Sequence, residues 1–314
     1  PKLSKVKGLT AFCHVLTESN TTHKSVPMLM SSVSAHDFNS IYQQKSIITT
    51  FKEAGYQTAF FSNQRYNHSF IDFFGKEADT CNFIKENVKH ANYNPSDDEL
   101  LELVATELAK NAPKQFIVLH TYGSHFNYRE RYPSENAFFL PDFPVDAEVK
   151  YKDNLVNAYD NSIRYTDDFL ARLIGMLQEQ NTDAAMLYSS DHGEDIFDDS
   201  RRLFLHASPV PSYYQIHVPF LLWMSDSYRD HYPSLWENTI SNKQKNISSS
   251  ASFFHTMLEL GGVTTPYRND SLSVVNVLFT EKPRVYLNDH NEARSLNEIG
   301  MGEEDFEMLQ QKGI

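Results

Sequence analysis

At 314 residues, with 40% apolar content and a formal net charge of −13, the chain has enough material for one large α/β domain with a substantial core. The acidic balance excludes the broad basic surface by which proteins bind nucleic acid or anionic headgroups nonspecifically, though it is compatible with a local basic patch. Two cysteines, Cys13 and Cys81, are too few for a disulfide framework, and no run approaches the roughly 20 consecutive apolar residues of a membrane span.

In chain order, the first informative stretch is Asn20-Thr21-Thr22-His23-Lys24-Ser25-Val26-Pro27-Met28-Leu29-Met30. Its hydroxyls precede a short apolar segment in which Pro27 is tolerable only near a first turn, so it reads as a helix N-terminus. A helix follows over Ile41 to Ala54, then a buried strand over Thr58 to Phe61. Ser96 caps a helix from Asp97 to Lys110, and the strand Phe116 to Leu119 runs into His120-Thr121-Tyr122-Gly123-Ser124-His125, with Tyr128, Arg131, Tyr132 and Pro133 beyond. A surface loop spans Tyr132 to Val145, and a long helix spans Leu155 to Gln178. The strand Ala184 to Tyr188 leads into Ser189-Ser190-Asp191-His192-Gly193-Glu194. His206 follows in Leu203-Phe204-Leu205-His206-Ala207-Ser208-Pro209, and His217 precedes the strand Pro219 to Trp223. A second surface loop covers Ser225 to Asn246, and the helix Ser250 to Leu260 stops at Gly261-Gly262. A last strand, Val285 to Leu287, precedes an acidic tail from Asn291 to Ile314 that is expected at the surface. Strands alternating with helices imply a mostly parallel central sheet sandwiched between helices.

In open α/β sheets, ligands bind beyond the carboxyl ends of the strands, so the Asp191-His192 pair after an apolar strand is placed where such folds do chemistry. A carboxylate oxygen and an imidazole nitrogen both suit zinc. The residues alone leave a second reading open, in which Asp191 caps a turn and His192 is a satisfied core residue. At the earlier helix start, a hydroxyl beside unpaired N–H groups can attack phosphorus while the phosphate oxygens find donors. The blander alternative is that Thr22 or Ser25 merely caps the helix. For His125, His206 or His217 alone a solvated loop histidine is the commoner explanation, and their joint placement near strand ends carries more weight than any single one.

Taken together, these segments resemble the alkaline phosphatase superfamily and, within it, the phosphoethanolamine transferases that modify lipid A and other bacterial envelope glycans. The resemblance runs from about Pro1 to Val263. It aligns Thr22-His23-Lys24-Ser25-Val26-Pro27 with the family's Thr-x-x-Ser-x-Pro segment, implying Thr22 as nucleophile. Asp191 to Glu194 match the family's Asp-His-Gly-Glu, implying Asp191 and His192 as zinc ligands together with Thr22. His120 to His125 with Tyr132-Pro133 match a His-x-x-Gly-x-His segment followed by Tyr-Pro, implicating His125 at the phosphate or at a second metal. Leu205-His206-Ala207 is similar to the family's Leu-His-Gly segment and implicates His206.

The resemblance implies one catalytic domain, zinc as cofactor, phosphatidylethanolamine as donor, and lipid A or another envelope glycan as acceptor. It also implies a periplasmic domain tethered to the inner membrane by upstream helices, and an upstream Glu as the remaining zinc ligand. Met28 stands where lipid A transferases of this kind carry a Cys, which weakens the lipid A assignment. Sulfatases share the fold but are recognised by Cys/Ser-x-Pro-x-Arg, and here Ser25-Val26-Pro27-Met28-Leu29 lacks the Arg. Phosphodiester hydrolysis, phosphoglycerol transfer and an inactive envelope-binding domain are the remaining alternatives. Lys24 would add positive charge beside the nucleophile unless it is a plain surface lysine.

Overall fold

A computed structural model describes residues 1–87 and 94–314. The chain gathers into two compact units, the first from residues 1–7, 55–180 and 196–205, the second from 8–54, 181–195 and 206–314. Secondary structure is mixed α/β, as the alternation of periods in the sequence implies.

The first unit is built on a parallel three-stranded sheet in the order Thr80–Phe83, Gln57–Ser62, Gln115–His120. Ser62 is in register with both Phe83 and His120, so the carboxyl ends of all three strands lie side by side. Gln57–Ser62 is the central strand, buried at every position but its first, and Phe60 and Phe61 fill the two faces that a parallel sheet covers. The helix Lys152–Glu179 buries Leu155, Ala158, Tyr165, Phe169, Leu173 and neighbours at three- and four-residue spacing, which is one apolar stripe on an otherwise polar helix. From that helix Asn161 reaches the loop before it: its Oδ1 accepts from the amides of Phe138 and Phe139, and its Nδ2 donates to the Phe139 carbonyl. The segment Tyr132 to Val145 is thus a loop, as expected, but one pinned at its middle.

The second unit holds an antiparallel three-stranded sheet in the order Leu9–Ala11, Phe220–Met224, Ala185–Ser189. Parallel pairing returns in His14–Leu16 with Asn246–Ser248, and Val285–Leu287 pairs antiparallel with Ala293–Ser295. The strand that leads into Asp191-His192 therefore lies in an antiparallel sheet, a local exception to the mostly parallel pairing read from the sequence. Its core gathers Val15, Phe220, Leu222, Met224, Ile247 and Val274, each almost wholly buried. The helix Ser249–Leu260 is capped by Ser248, whose hydroxyl accepts from the Ala251 amide at 3.2 Å.

Several boundaries differ from the sequence expectation. The helix expected over Ile41 to Ala54 is a 3₁₀ segment, Ala35–Gln43, followed by a separate α-helix, Ile47–Glu53. Ser46 restarts it, its Oγ accepting from the Ile48 amide at 3.0 Å, so the capping hydroxyl decides where helix resumes. The stretch Ser225 to Asn246, read as a surface loop, contains two helices, Asp226–His231 and Pro233–Asn242. Ser225 caps the first, and Pro233 opens the second at a position that needs no N–H. The tail is not merely superficial: Leu296, Met301 and Leu309 are buried against Leu16, Ile216 and Tyr286. Both cysteines are exposed and free. Among the described residues no helix is long and apolar enough to cross a membrane.

Candidate active site

In the second unit, the strand Ala185–Ser189 ends one residue before Ser190, whose hydroxyl donates to the His192 carbonyl at 2.6 Å and folds the chain back on itself. Gly193 then passes so close to the segment around Tyr214 that an added Cβ would lie 2.1 Å from the Tyr214 carbonyl oxygen. Its amide donates to the Gln215 carbonyl at 2.9 Å. Glycine is required here by close approach of two backbones, which places Asp191 and His192 firmly.

Thr22 is the first residue of the helix Thr22–Leu29, with Thr21 as N-cap. Neither Thr22 nor Ser25 caps that helix, contrary to the blander expectation. The Thr22 Oγ1 instead lies 3.1 Å from His192 Nε2. Ser25, fully buried, donates to the Thr21 carbonyl at 2.9 Å and stands 3.2 Å from Asp191 Oδ2. His192 Nδ1 is 3.0 Å from the Gly193 carbonyl, which can only accept, so Nδ1 carries a hydrogen and Nε2 is the ring nitrogen that faces Thr22. Asp191 Oδ2 is 3.5 Å from the same Nε2. Three donors thus converge: a hydroxyl, a carboxylate and an imidazole nitrogen.

His206 packs against His192 with ring centroids 4.0 Å apart and the ring planes tilted by 33°, and its Nδ1 is 3.0 Å from Glu194 Oε1. The Asp-His-Gly-Glu run therefore supplies both the His192 nitrogen and the carboxylate that orients His206. Beneath them lies a buried polar network that the sequence did not announce. Asn20 Nδ2 donates to Gln215 Oε1 at 2.6 Å, Gln215 Nε2 donates to Asp195 Oδ2 at 2.5 Å, and Tyr286 donates to Asn20 Oδ1 at 2.6 Å. Asn20 also accepts the Ala207 amide on its carbonyl, so one residue fixes both the approach to Thr22 and the turn that carries His206.

Lys24 is not a surface lysine. It is buried, its Nζ donates to the Asn288 carbonyl at 2.8 Å, and burial lowers its pKa while Asp289 opposes the shift. Its charge anchors the Asn288 loop. His217 is a satisfied core histidine: its Nδ1 lies 2.9 Å from the Tyr213 hydroxyl, the two rings stack, and burial lowers its pKa. His125 belongs to the first unit, is exposed, and has its Nδ1 2.6 Å from the Phe126 carbonyl. The structure thus brings Thr22, Asp191, His192 and His206 together within the second unit and places His125 in the first.

Among the described residues no three His, Cys, Asp or Glu side chains gather as a metal site. Asp191 and His192 with the Thr22 hydroxyl nevertheless make an O, O, N set that fits three corners of a zinc tetrahedron, with the fourth ligand to come from elsewhere.

Comparison with known proteins places these features in context. A sequence model of the Sulfatase family matches residues 1–263. Phosphoethanolamine transferase EptC of Escherichia coli K12 is 25% identical over 288 residues, covering 88% of this chain and 48% of the relative. Kdo(2)-lipid A phosphoethanolamine 7''-transferase of Escherichia coli K12 is 30% identical over 240 residues, covering 74% of this chain and 41% of the relative. The chain spans about half the length of such relatives. Among solved structures, the C-terminal periplasmic domain of EptC from Escherichia coli, in complex with Zn, superposes with a TM-score of 0.84 at 24% identity, covering 94% of this chain and 83% of that one. The soluble domain of lipooligosaccharide phosphoethanolamine transferase A from Neisseria meningitidis gives 0.78 at 23%, covering 89% and 84%.

Proposed function

The chain belongs to the Sulfatase family, and from that premise we propose that it is a phosphoethanolamine transferase domain that works through a phospho-threonine intermediate on Thr22. The observation that carries this reading is the 3.1 Å contact between Thr22 Oγ1 and His192 Nε2, with Asp191 alongside. A threonine hydroxyl is a weak nucleophile at neutral pH and needs its proton removed or its oxyanion stabilised. Zinc held by Thr22, Asp191 and His192 would supply that stabilisation as a Lewis acid.

Thr22 Oγ attacks the phosphorus of phosphatidylethanolamine, the P–O bond to diacylglycerol breaks, and diacylglycerol leaves with a proton. His206, held at Nδ1 by Glu194, presents Nε2–H in its protonated form as a donor to a phosphate oxygen or to the leaving group. An acceptor hydroxyl or phosphate on an envelope glycolipid such as lipid A then displaces Thr22 from phosphorus. His125 is assigned a phosphate-holding role from its motif. The domain would work in the periplasm, held at the inner membrane by sequence upstream.

A sulfatase reading requires maturation at Ser25. That side chain is fully buried and hydrogen-bonded to the Thr21 carbonyl, while Thr22 carries the contact to His192. The Ser25 environment therefore favours a structural serine. To test the reading, the protein with its upstream sequence is supplied with zinc, phosphatidylethanolamine and lipid A, and the lipids are analysed by mass spectrometry. Diacylglycerol release with matching phosphoethanolamine gain on the acceptor is expected. Faster turnover of sulfate esters, or release of free phosphoethanolamine with no acceptor gain, would replace transfer by hydrolysis.

A further inference from the structure

Within the first unit, the loop before the helix Lys152–Glu179 holds large apolar side chains out in solvent: Phe138 is 63% exposed, Leu140 68% and Phe143 56%. Single exposed apolar residues are ordinary, but three within six consecutive positions make a patch. The segment that carries them is not loose. Asn161 binds the amides of Phe138 and Phe139 and the Phe139 carbonyl, and Asn157 Nδ2 donates to the Pro141 carbonyl at 3.0 Å. Asp142 turns inward and accepts from the Tyr132 hydroxyl at 2.7 Å. Asn157 and Asn161 are one helical turn apart, so residues 138–141 lie along a single turn of the helix and spend their backbone polar groups on it. The Arg164 guanidinium carbon lies 4.2 Å from the Phe138 ring centroid. The loop is thus ordered before it meets anything, and seating its side chains elsewhere loses little further conformational entropy.

The same helix also holds residues 1–3. The Lys2 amide donates to Asp167 Oδ2 at 2.5 Å, the Leu3 amide donates to Asp167 Oδ1 at 3.1 Å, and the Lys2 ammonium pairs with Asp168. Asp167 and Asp168 stand three and four residues beyond Arg164, on the helix face where Arg164 meets Phe138. Ile163, itself exposed, precedes Asp167 by one turn. Upstream sequence, which the proposed function places in the inner membrane, would therefore join the domain beside the patch. A bilayer is then the apolar surface within its reach. The net charge of −13 disfavours anionic headgroups, so a zwitterionic interface entered by apolar side chains is the surface that fits. A second copy of the chain fits less well, since three side chains cover only a fraction of the roughly 800 Å² per partner that a stable dimer buries.

We propose that Phe138, Leu140 and Phe143 form a rigid ledge that docks the first unit on a zwitterionic bilayer, inserting among the headgroups and the upper acyl chains. The inference rests on the reading that the domain works at a membrane on a lipid donor. Apolar insertion carries its own signature. Binding that comes from buried apolar area holds up in salt and gains nothing from added anionic lipid, whereas attraction through Arg164 or other surface cations would be screened.

The test is flotation of the 314-residue chain with vesicles of equal parts phosphatidylcholine and phosphatidylethanolamine, at low and high salt. Wild type is compared with the triple variant F138S/L140S/F143S and with the control V277S/L278S, which removes an exposed apolar pair from the second unit. Wild type and control are expected to float at both salt concentrations, and the triple variant to partition about 100-fold less. In wild type, with no variant needed, vesicles should slow amide hydrogen exchange over residues 138–143, read by peptide mass spectrometry. Failure of wild type to float, equal flotation of the triple variant, or binding abolished by salt overturns the proposal. So does protection of the same residues without vesicles in a self-associated chain, which would make a second copy the occupant. Transfer from detergent-dispersed phosphatidylethanolamine needs no docking: transfer there without vesicle binding would refute this inference alone, and vesicle binding without transfer would refute the transferase reading alone.

Discussion

Replacing Gln215 by leucine tests whether the buried network, rather than the helix or strand ends alone, positions the site. Gln215 is fully buried; its Nε2 serves Asp195 at 2.5 Å and Ser208 Oγ at 2.8 Å, and its Oε1 receives Asn20 Nδ2 at 2.6 Å. Leucine keeps most of the volume and the backbone carbonyl that holds Gly193. It deletes one hydrogen bond to a carboxylate and two between neutral groups, which together are worth about 3–5 kcal/mol. Asp195 retains its two contacts from Ser212 and Asn20 retains the Ser208 carbonyl, so the lower end of that range is expected. Both tryptophans, Trp223 and Trp236, belong to the second unit, so urea unfolding followed by tryptophan fluorescence reads the perturbed unit directly. Because Asn20 lies two residues before Thr22 and holds the Ala207 amide, kcat should also fall, by about 100-fold for a displacement near 1 Å. A variant that loses less than about 1 kcal/mol and keeps its kcat would refute the positioning role.

Gly193→Ala should cost about 1–3 kcal/mol or more in the same fluorescence assay and abolish transfer, since its Cβ meets the Tyr214 carbonyl at 2.1 Å; wild-type stability would contradict the close approach. His255 is buried, accepts the Asn269 amide, and burial lowers its pKa from 6.5 to about 4. With the folded value below the unfolded one, its stabilisation is full above pH ~6.5 and lost as pH falls toward ~4, up to about 3 kcal/mol. Urea midpoints measured across that window should fall in wild type and flatten in His255→Asn; parallel curves would show that His255 does not control the slope. His192→Ala should weaken zinc binding by about tenfold or more in a chelator competition, and chelator-treated wild type should regain turnover when zinc is restored. Unchanged zinc affinity in that variant would remove His192 from the ligand set.

The fold class was legible in the sequence, and so were the residues proposed for the site, while the pairing of individual strands was not. Asp191-His192 and Thr22 were legible because chemistry-bearing side chains at a strand end and a helix start are uncommon enough to stand out. The strands at Gln57–Ser62, Gln115–His120 and Phe220–Met224 were legible because buried strands read as unbroken apolar runs. Pairing direction was not, because an apolar run such as Ala185–Ser189 looks the same in parallel and antiparallel surroundings. The helices Asp226–His231 and Pro233–Asn242 were hidden by polar, exposed faces that dilute the helical period. Lys24 shows the limit of composition: a lysine reads as solvated until a carbonyl such as that of Asn288 is found within reach. The Asn20–Gln215–Asp195 network joins residues 20, 195 and 215, which no local pattern connects.

The central claim is that Thr22 takes the phosphoethanolamine group onto its own oxygen. Intact-mass and peptide mass spectrometry of the protein with its upstream sequence, after incubation with zinc and phosphatidylethanolamine but no acceptor, tests it most directly. A single phosphoethanolamine adduct on the peptide containing Thr22, absent from Thr22→Ala and discharged when acceptor is added, is the predicted result. An adduct that persists in Thr22→Ala or maps to Ser25, or diacylglycerol release unaffected by that substitution, would contradict it.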